Sequence, residues 1–297
     1  MVHVEKVTEA MTPEILGLLA GFHSEEASRK PWRKALTYAW RFDEGYRGLA
    51  LVDGGKVAGF LGLLFSTRQI GGAVHRFCNL YGWIVRPEYR NHSLSLLFPV
   101  LRLKEHTLTN LTSYAEGVPI MKRLGFQEMD ATTYLVPSLP VSRARGWRVE
   151  TAEERVGRLL DGGDRVVFED HRPYGCRHAV LHDGHGERCY ILFTERRQGG
   201  LRYYCVHHVS QPDLFARHLG VLRSALLWRE GVPFLLVDAR YVGEARPAWS
   251  RVRRLSSPRL CRPAGDLPRN RIDSAYSEWI LLQPEPAGPA GGPVPPG

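Results

Sequence analysis

The sequence predicts a mixed α/β protein built as two consecutive domains. Its 297 residues are more than one hydrophobic core usually needs, and each half is long enough to bury a core of its own. Helix and strand patterns alternate along both halves, as in α/β architectures. The order hairpin, strand, helix, strand occurs in each half, on either side of a stretch with two prolines. We therefore predict a first domain at residues 1–136, a linker at 137–147, a second domain at 148–283 and a disordered proline- and glycine-rich tail at 284–297.

The first half begins with a helix at residues 8–25, for which Thr12 supplies the N-cap and Pro13 the first helical position. A hairpin follows at 48–67, where Asp53-Gly54-Gly55 supplies the turn. The other elements predicted in this half are a helix at 30–42, a long strand at 75–85, a helix at 93–103 that Pro99 kinks or ends, a strand at 106–113, a helix at 116–126 and a strand at 132–138.

The second half shows a similar order of elements. A hairpin at residues 176–195 turns at Asp183-Gly184, and an amphipathic helix at 212–231 carries one apolar stripe. The remaining elements predicted in this half are a helix at 151–162 and strands at 200–210, 232–240 and 275–282.

Composition narrows the classes of protein to consider. No apolar stretch approaches the roughly 20 residues that cross a bilayer, and charges occupy the position of a signal-peptide core, so we expect a cytoplasmic protein without a membrane span. The five cysteines form no CxxC pair and are expected to be free thiols. The net charge of +9 and the arginine-rich residues 240–271 could attract a polyanion, but a solvated loop face is the favoured interpretation.

The segment from Val85 to Ser95, VRPEYRNHSLS, follows the longest predicted strand of the first half. A strand that enters a turn and then a helix is a place where backbone N–H groups bind phosphate. Serines stand where phosphate loops usually have glycines, and a serine side chain narrows the approach although its hydroxyl can itself donate to phosphate. The sequence therefore predicts a modified phosphate-binding loop.

This segment, together with MKRLGF at Met121–Phe126, resembles the GNAT acyltransferase superfamily over roughly residues 3–135. The resemblance implies a GNAT fold and acyl-CoA binding by the end of the long strand and the loop after it. Ser93 and Ser95 depart from the glycines of the family pattern, and Met121 stands where the family often has the tyrosine that protonates the leaving thiolate. The residues to which the resemblance assigns the cofactor are Trp83, Val85, Arg90, Asn91, His92, Ser93, Leu94 and Ser95.

A GNAT-like reaction brings a neutral amine to a thioester, so it needs a base for the amine proton and a donor for the developing oxyanion. The catalytic candidates near the strand ends are Tyr81, Tyr114 and Glu116. Two of them have a structural alternative. Tyr81 could be a half-buried strand aromatic, and Glu116 could stabilise a helix N-terminus.

The second half resembles a GNAT domain without the phosphate loop, which makes the predicted protein a tandem with a degenerate second copy. Its segment from Cys176 to Cys189 also contains three histidines, a composition found in zinc sites. Because the segment alternates like a hairpin and lacks a second ligand pair at knuckle spacing, no metal site is predicted.

The expected function is an N-acyltransferase that uses acetyl-CoA or another acyl-CoA and modifies a small amine, with an amino sugar or glycan precursor as the favoured acceptor. A Fem-type transferase that uses aminoacyl-tRNA is an alternative, for which the net charge of +9 would be suitable. A non-catalytic ligand-binding protein of the same fold is another. Nucleic acid is otherwise not an expected partner, and the sequence leaves monomer and homodimer open.

Overall fold

The computed structural model describes residues 1–22, 29–140, 146–243 and 246–282. These residues form two mixed sheets of seven strands each, which confirms the predicted mixed α/β class. The strands are β1 (His3–Lys6), β2 (Gly48–Asp53), β3 (Lys56–Ile70), β4 (Ala73–Val85), β5 (His106–Asn110), β6 (Gln127–Met129), β7 (Thr132–Pro137), β8 (Arg148–Glu150), β9 (Arg177–His182), β10 (Arg188–Gln198), β11 (Leu201–Val209), β12 (Phe234–Asp238), β13 (Arg251–Arg254) and β14 (Arg259–Arg262). The helices are α1 (Thr12–Phe22), α2 (Arg29–Leu36), α3 (Leu97–Leu101), α4 (Val118–Arg123), α5 (Glu153–Leu159), α6 (Gly162–His171), α7 (Pro212–Glu230) and α8 (Glu278–Leu281).

The two sheets repeat one topology. The first has the order β1-β2-β3-β4-β5-β14-β6, and the second has the order β13-β7-β12-β11-β10-β9-β8. In the first sheet β4 and β5 are parallel, and in the second β11 and β12 are parallel, whereas the other pairs are antiparallel. In both cases a hairpin leads into a strand that pairs in parallel after a helical crossover. This is the repeated order that the sequence predicts.

The two sheets also exchange strands. β7, which the sequence predicts as the last strand of the first half, lies between β12 and β13 in the second sheet. In the opposite direction, β14 from the second half lies between β5 and β6 in the first sheet. The boundary at 137–147 stays a prediction, but the strands on either side of it do not sort into the sheets by sequence order.

A shared core joins the two sheets. Phe60 and Leu64 of the first sheet and Tyr190 and Leu192 of the second belong to one buried cluster, together with Ala275, Tyr276, Ile280 and Leu281. The C-terminal part of the described chain therefore lies in contact with both sheets. Each sheet also packs its other face against its own helices, in two further clusters.

Three expectations about elements were wrong. The predicted strand at 275–282 contains the short helix α8, because the neighbouring residues are nearly all buried between the sheets instead of alternating like a strand. The predicted helix at 93–103 is a 3-10 run (Pro87–Leu96) followed by five α-helical residues around Pro99. The helix predicted at 151–162 is too long, because α5 ends at Leu159 and a separate helix that was not predicted, α6, follows from Gly162 to His171.

The described residues agree with a folded chain of free thiols. All five cysteines are unpaired, and four of them are buried. Within the described residues, none of the helices has both the length and the apolarity that crossing a membrane would need. The predicted tail at 284–297, the end of the first predicted helix at 23–25 and residues 141–145 of the predicted linker lie outside the described residues.

Candidate functional site

The candidate site begins where two parallel strands of the first sheet separate. β4 and β5 pair from Arg76 and His106 as far as Asn79 and Thr109. Beyond that point β5 continues beside β14, with Asn110 opposite Leu260, while β4 stays paired with β3. The two strands therefore splay apart, and among the described residues no strand pairs there with the edge of β4 that faces β5.

An irregularity in β4 lies beside this splay. Gly62 of β3 pairs with Tyr81, but Phe60 pairs with Ile84, so β4 contains one residue more than β3 over the same span. Such a β-bulge bends a strand and increases its twist. Gly82 lies in this bulge with φ +58°, a left-handed conformation that glycine adopts without strain.

A cavity of about 640 Å³ opens at the splay, and we call it the splay cavity. Its wall combines side chains from both halves of the sequence. From the first half come residues of β4 and of the segment after β5, and from the second half come the β10–β11 hairpin and the segment around α8. The residues that define the cavity include Trp32, Tyr81, Gly82, Trp83, Asn110, Thr112, Ser113, Tyr114, Met121, Arg196, Arg197, Gln198, Tyr203, Glu278 and Trp279.

Glu278 is the buried carboxylate in this wall. It is only 3% exposed, and it reaches the first sheet from the N-terminal end of α8. Asn79 Nδ2 donates a hydrogen bond to Glu278 Oε2 at 2.6 Å, and Thr112 Oγ1 donates to Oε1. Thr109 Oγ1 donates to Asn79 Oδ1 at 2.9 Å, which orients the amide so that its NH₂ group points at the carboxylate.

The environment of Glu278 shifts the pKa of its carboxyl group. Burial raises the pKa of Glu278, although the hydrogen bonds from Thr112 and Asn79 act in the opposite direction. A carboxylate with a raised pKa in a cavity is a common feature of sites that move protons. Glu278 was not among the predicted site residues. Its one signal in the sequence is a single glutamate inside the apolar run AYSEWILL, at residues 275–282.

The three predicted catalytic residues lie in three different environments. Tyr81 lines the splay cavity but is buried, its hydroxyl donates to the Ala35 carbonyl at 2.9 Å, and burial raises its pKa. Tyr114 also lines the cavity and is 68% exposed. Glu116 is exposed in the short 3-10 turn Ala115–Gly117 and lies outside the cavity wall.

The predicted phosphate loop is more regular than the sequence suggests. Arg90–Ser95 lie inside the 3-10 run, a helix type in which N–H groups donate to the carbonyl three residues earlier. Ser95 Oγ donates to the His92 carbonyl at 2.6 Å, and Trp83 Nε1 donates to the Ser93 carbonyl at 3.3 Å. In this conformation the side chains of the run are more available to a phosphate than its amides are.

The other predicted cofactor residues differ in exposure. Trp83 lines the splay cavity, and Val85 is buried in the core of the first sheet. Arg90, Asn91 and Leu94 are exposed, whereas His92, Ser93 and Ser95 are half-buried. Met121, which the resemblance aligns with a tyrosine, is buried in the cavity wall.

The histidines and cysteines of the segment Cys176–Cys189 do not form a metal-binding cluster in the described structure. His178 is buried, and its Nδ1 lies 2.9 Å from the Tyr190 hydroxyl. Among the described residues, no group of three or more histidine, cysteine, aspartate or glutamate side chains has the arrangement of a metal site.

Comparison with known proteins gives the chain a fold but no close relative. No family model and no curated protein matches the sequence. A GCN5-related N-acetyltransferase from Anabaena variabilis superposes with a TM-score of 0.60 at 12% identity, over 88% of this chain and 72% of that one. One from Kribbella flavida gives 0.57 at 16% identity, over 88% and 70% of the two chains.

A third solved structure is similar at a comparable level. It is described as a glucosamine N-acetyltransferase region of a fungal multi-domain β-N-acetylglucosaminidase, and it superposes with a TM-score of 0.53 at 11% identity, over 88% of this chain and 38% of that one. Since these superpositions span both sheets, the chain has the GNAT fold in a tandem arrangement.

Proposed function

We propose that the protein is an acyl-CoA-dependent N-acyltransferase that acts on a small amine. The observation that carries the proposal is the splay of β4 from β5, with the buried carboxylate of Glu278 in the wall of the cavity that opens there. Acyl-CoA supplies an acyl group on a thioester. Its extended arm fits a gap between two strands, because the free edge of β4 offers main-chain hydrogen bonds to an extended ligand.

In this proposal Glu278 is the general base. A carboxylate whose pKa is raised by burial accepts a proton more readily near neutral pH than an exposed glutamate does. The amine loses its proton to Glu278 as the new N–C bond forms and the C–S bond breaks. Backbone N–H groups on the free edge of β4 stabilise the negative charge on the carbonyl oxygen, and the hydroxyl of Tyr114 returns a proton to the leaving sulfur.

The phosphates of CoA would meet the side chains of the 3-10 run. Arg90 is exposed there, and an arginine binds phosphate through charge-assisted hydrogen bonds. The half-buried Ser93 can add a hydroxyl. This assignment keeps the predicted cofactor residues but transfers part of their role from backbone amides to side chains.

The proposed acceptor is an amino sugar or a glycan precursor. Several aromatic rings line the splay cavity, among them Trp32, Trp83 and Trp279, and flat aromatic surfaces suit the apolar faces of sugar rings. Arg196 and Arg197 lie in the same wall and suit an acceptor that carries an anionic group. The similarity in fold to a glucosamine N-acetyltransferase region agrees with this choice.

Calorimetric titration with acetyl-CoA and an assay of thiol release with a panel of amines, glucosamine included, test the proposal. We expect Glu278→Gln to bind acetyl-CoA with the affinity of the wild type but to release thiol at least ~100-fold more slowly, because the base is gone. Arg90→Ala should weaken acetyl-CoA binding by about tenfold. Arg217→Ala, which removes an exposed arginine on α7, serves as the matched control and should change neither quantity.

Two outcomes would contradict the proposal. Full turnover by Glu278→Gln would remove Glu278 from the chemistry, and no acetyl-CoA binding by the wild type would remove the donor. Because the Gln variant keeps the shape of the side chain, a loss of turnover without a loss of binding separates a chemical role from a structural one.

A second candidate function is a non-catalytic protein that binds a ligand in the splay cavity. The buried thioether of Met121 and the internally bonded 3-10 run favour it, since both replace groups that a GNAT reaction uses. Acetyl-CoA binding without thiol release across the whole amine panel would support this candidate instead.

A further inference from the structure

A second cavity, of about 660 Å³, lies between the two sheets, and we call it the interface cavity. Thr67–Gln69 on β3 form one side, and Gly162–Asp164 at the start of α6 form another. His208 on β11 and Tyr276 also line this cavity. Its lining residues do not overlap with those of the splay cavity, so it is a separate place in the fold.

His208 has one ring nitrogen bound and one open. Its side chain is 9% exposed, and its Nδ1 lies 2.7 Å from Asp273 Oδ2, which holds the ring by a hydrogen bond. Nε2 is buried and has no hydrogen-bond partner among the described residues. The carboxylate oxygen Oδ1 of Asp164 faces Nε2 at 3.9 Å, too far for a hydrogen bond between them. A donor placed beside both atoms would satisfy both.

The charges around the cavity favour a cation. Arg68 and Asp273 form a bidentate buried pair, with distances of 2.7 and 2.5 Å, and so neutralise each other. Three further carboxylates line the wall, those of Asp43, Asp164 and Asp170, against one further arginine, Arg41. In a chain of net charge +9 this is a local reversal of sign. It repels anions and attracts cations.

The remaining wall suits a short methylene chain. Phe42, Val166 and Val167 provide apolar surface next to the carboxylates.

The proton on His208 bears on how a cation would bind. Burial lowers the pKa of His208, but the carboxylates of Asp273 and Asp164 outweigh burial and raise the pKa overall. A raised pKa favours a proton on Nε2, so an ammonium group that donates to Nε2 and to Asp164 displaces this proton to solvent and leaves His208 neutral.

We infer that the interface cavity is a binding site for a small aliphatic diamine. One ammonium group donates to His208 Nε2 and to the Asp164 carboxylate. The methylene chain lies against Phe42 and the valines, and the second ammonium group meets Asp170, which already accepts a hydrogen bond from the Tyr276 hydroxyl at 2.6 Å.

Calorimetry with three probes of one carbon skeleton tests this site. We expect 1,4-diaminobutane to bind, and 1,4-butanediol and succinate, which remove or reverse the charges, not to bind. Asp164→Asn should weaken diamine binding by roughly tenfold, because a charge-assisted hydrogen bond is lost. Asp266→Asn, at an exposed aspartate outside the cavity, is the matched control and should leave the affinity unchanged.

His208→Gln provides a second variant, because it removes the imidazole while keeping a side chain that can hydrogen-bond to Asp273. It should also weaken diamine binding, and circular dichroism with thermal unfolding checks that each variant is folded. Failure of the wild type to bind the diamine, equal affinity in Asp164→Asn, or binding of succinate as tight as that of the diamine would overturn the inference.

Discussion

At the scale of single residues, the position of Glu278 in the site could not be predicted from its neighbours in the sequence. It lies 199 residues from Asn79, the residue that donates to its carboxylate, and no periodic pattern connects two positions so far apart. Tyr81 and Tyr114, by contrast, follow directly from the predicted strand ends, and both do line the splay cavity. The sequence could therefore indicate the strand side of the site but not the carboxylate that the second half brings to it.

The buried carboxylate of Glu278 leads to a prediction about stability. The folded-state pKa is raised above the unfolded value, so the folded chain favours the neutral acid. The contribution of this group is fully present at a pH below the ordinary glutamate pKa of about 4.3, and it is lost as the pH rises through the raised value. Glu278→Gln, which stays neutral, should therefore gain stability relative to the wild type as the pH increases.

Urea unfolding of both proteins at pH 5 and pH 8 measures this difference. Glu116→Gln, at an exposed glutamate, is the matched control and should follow the wild type at both values. If the stability of Glu278→Gln relative to the wild type instead falls from pH 5 to pH 8, the ionised carboxylate stabilises the fold, and the interpretation of its burial is reversed.

At the scale of elements, the features that depend on neighbouring residues were predictable. The turns at Asp53-Gly54-Gly55 and Asp183-Gly184 connect hairpins in both sheets, because turn chemistry is local. β14 and α8 were not predictable from neighbouring residues, since β14 is only four residues long and α8 is defined by its burial between two sheets. Part of the arginine-rich stretch at residues 240–271 forms an exposed strand, β13. Arg251, Arg253 and Arg254 are exposed on the edge strand β13, where charge discourages pairing with another chain.

The bulge in β4 gives a prediction for an element. Gly82 has φ +58°, and a side chain in this left-handed conformation costs about 1–2 kcal/mol. A Cβ at this position would meet Phe60 only at an ordinary contact distance of 3.4 Å, so the cost is conformational and not steric. Gly82→Ala should therefore lower the free energy of unfolding by about 1–2 kcal/mol, and Gly82→Asn by less, because asparagine tolerates this region better.

Chemical denaturation with a matched glycine separates this effect from a general one. Gly17 lies in α1, and a Cβ added there would meet no described atom within 4 Å. Gly17→Ala should therefore leave the free energy of unfolding unchanged or raise it, since alanine favours helices. Equal stability of Gly82→Ala and the wild type would mean that β4 relaxes out of the bulge, in which case the bulge does not hold the splay open.

At the scale of the whole molecule, the strand exchange decides how the two halves depend on each other. Length and repeated order predict two domains, and two sheets are present. The sequence could not indicate that β7 and β14 cross between them, because a short buried strand has the same pattern in either sheet. The consequence is that neither half of the sequence contains a complete sheet.

Cleavage between the halves tests this dependence. A protease site inserted in the predicted linker at residues 141–145 would leave β7 on the N-terminal piece and β14 on the C-terminal piece. Each piece then still supplies a strand to the sheet of the other, and Leu260 and Cys261 of β14 are fully buried in the first sheet. We expect the cleaved protein to run as one species in gel filtration and to keep acetyl-CoA binding. Residues 1–136 and residues 148–283, each produced alone, should lack cooperative unfolding, because each fragment is missing an interior strand of its sheet. Separation of the two pieces after cleavage, or cooperative unfolding of either fragment alone, would show that the sheets are independent domains and that the exchanged strands contribute little to holding them together.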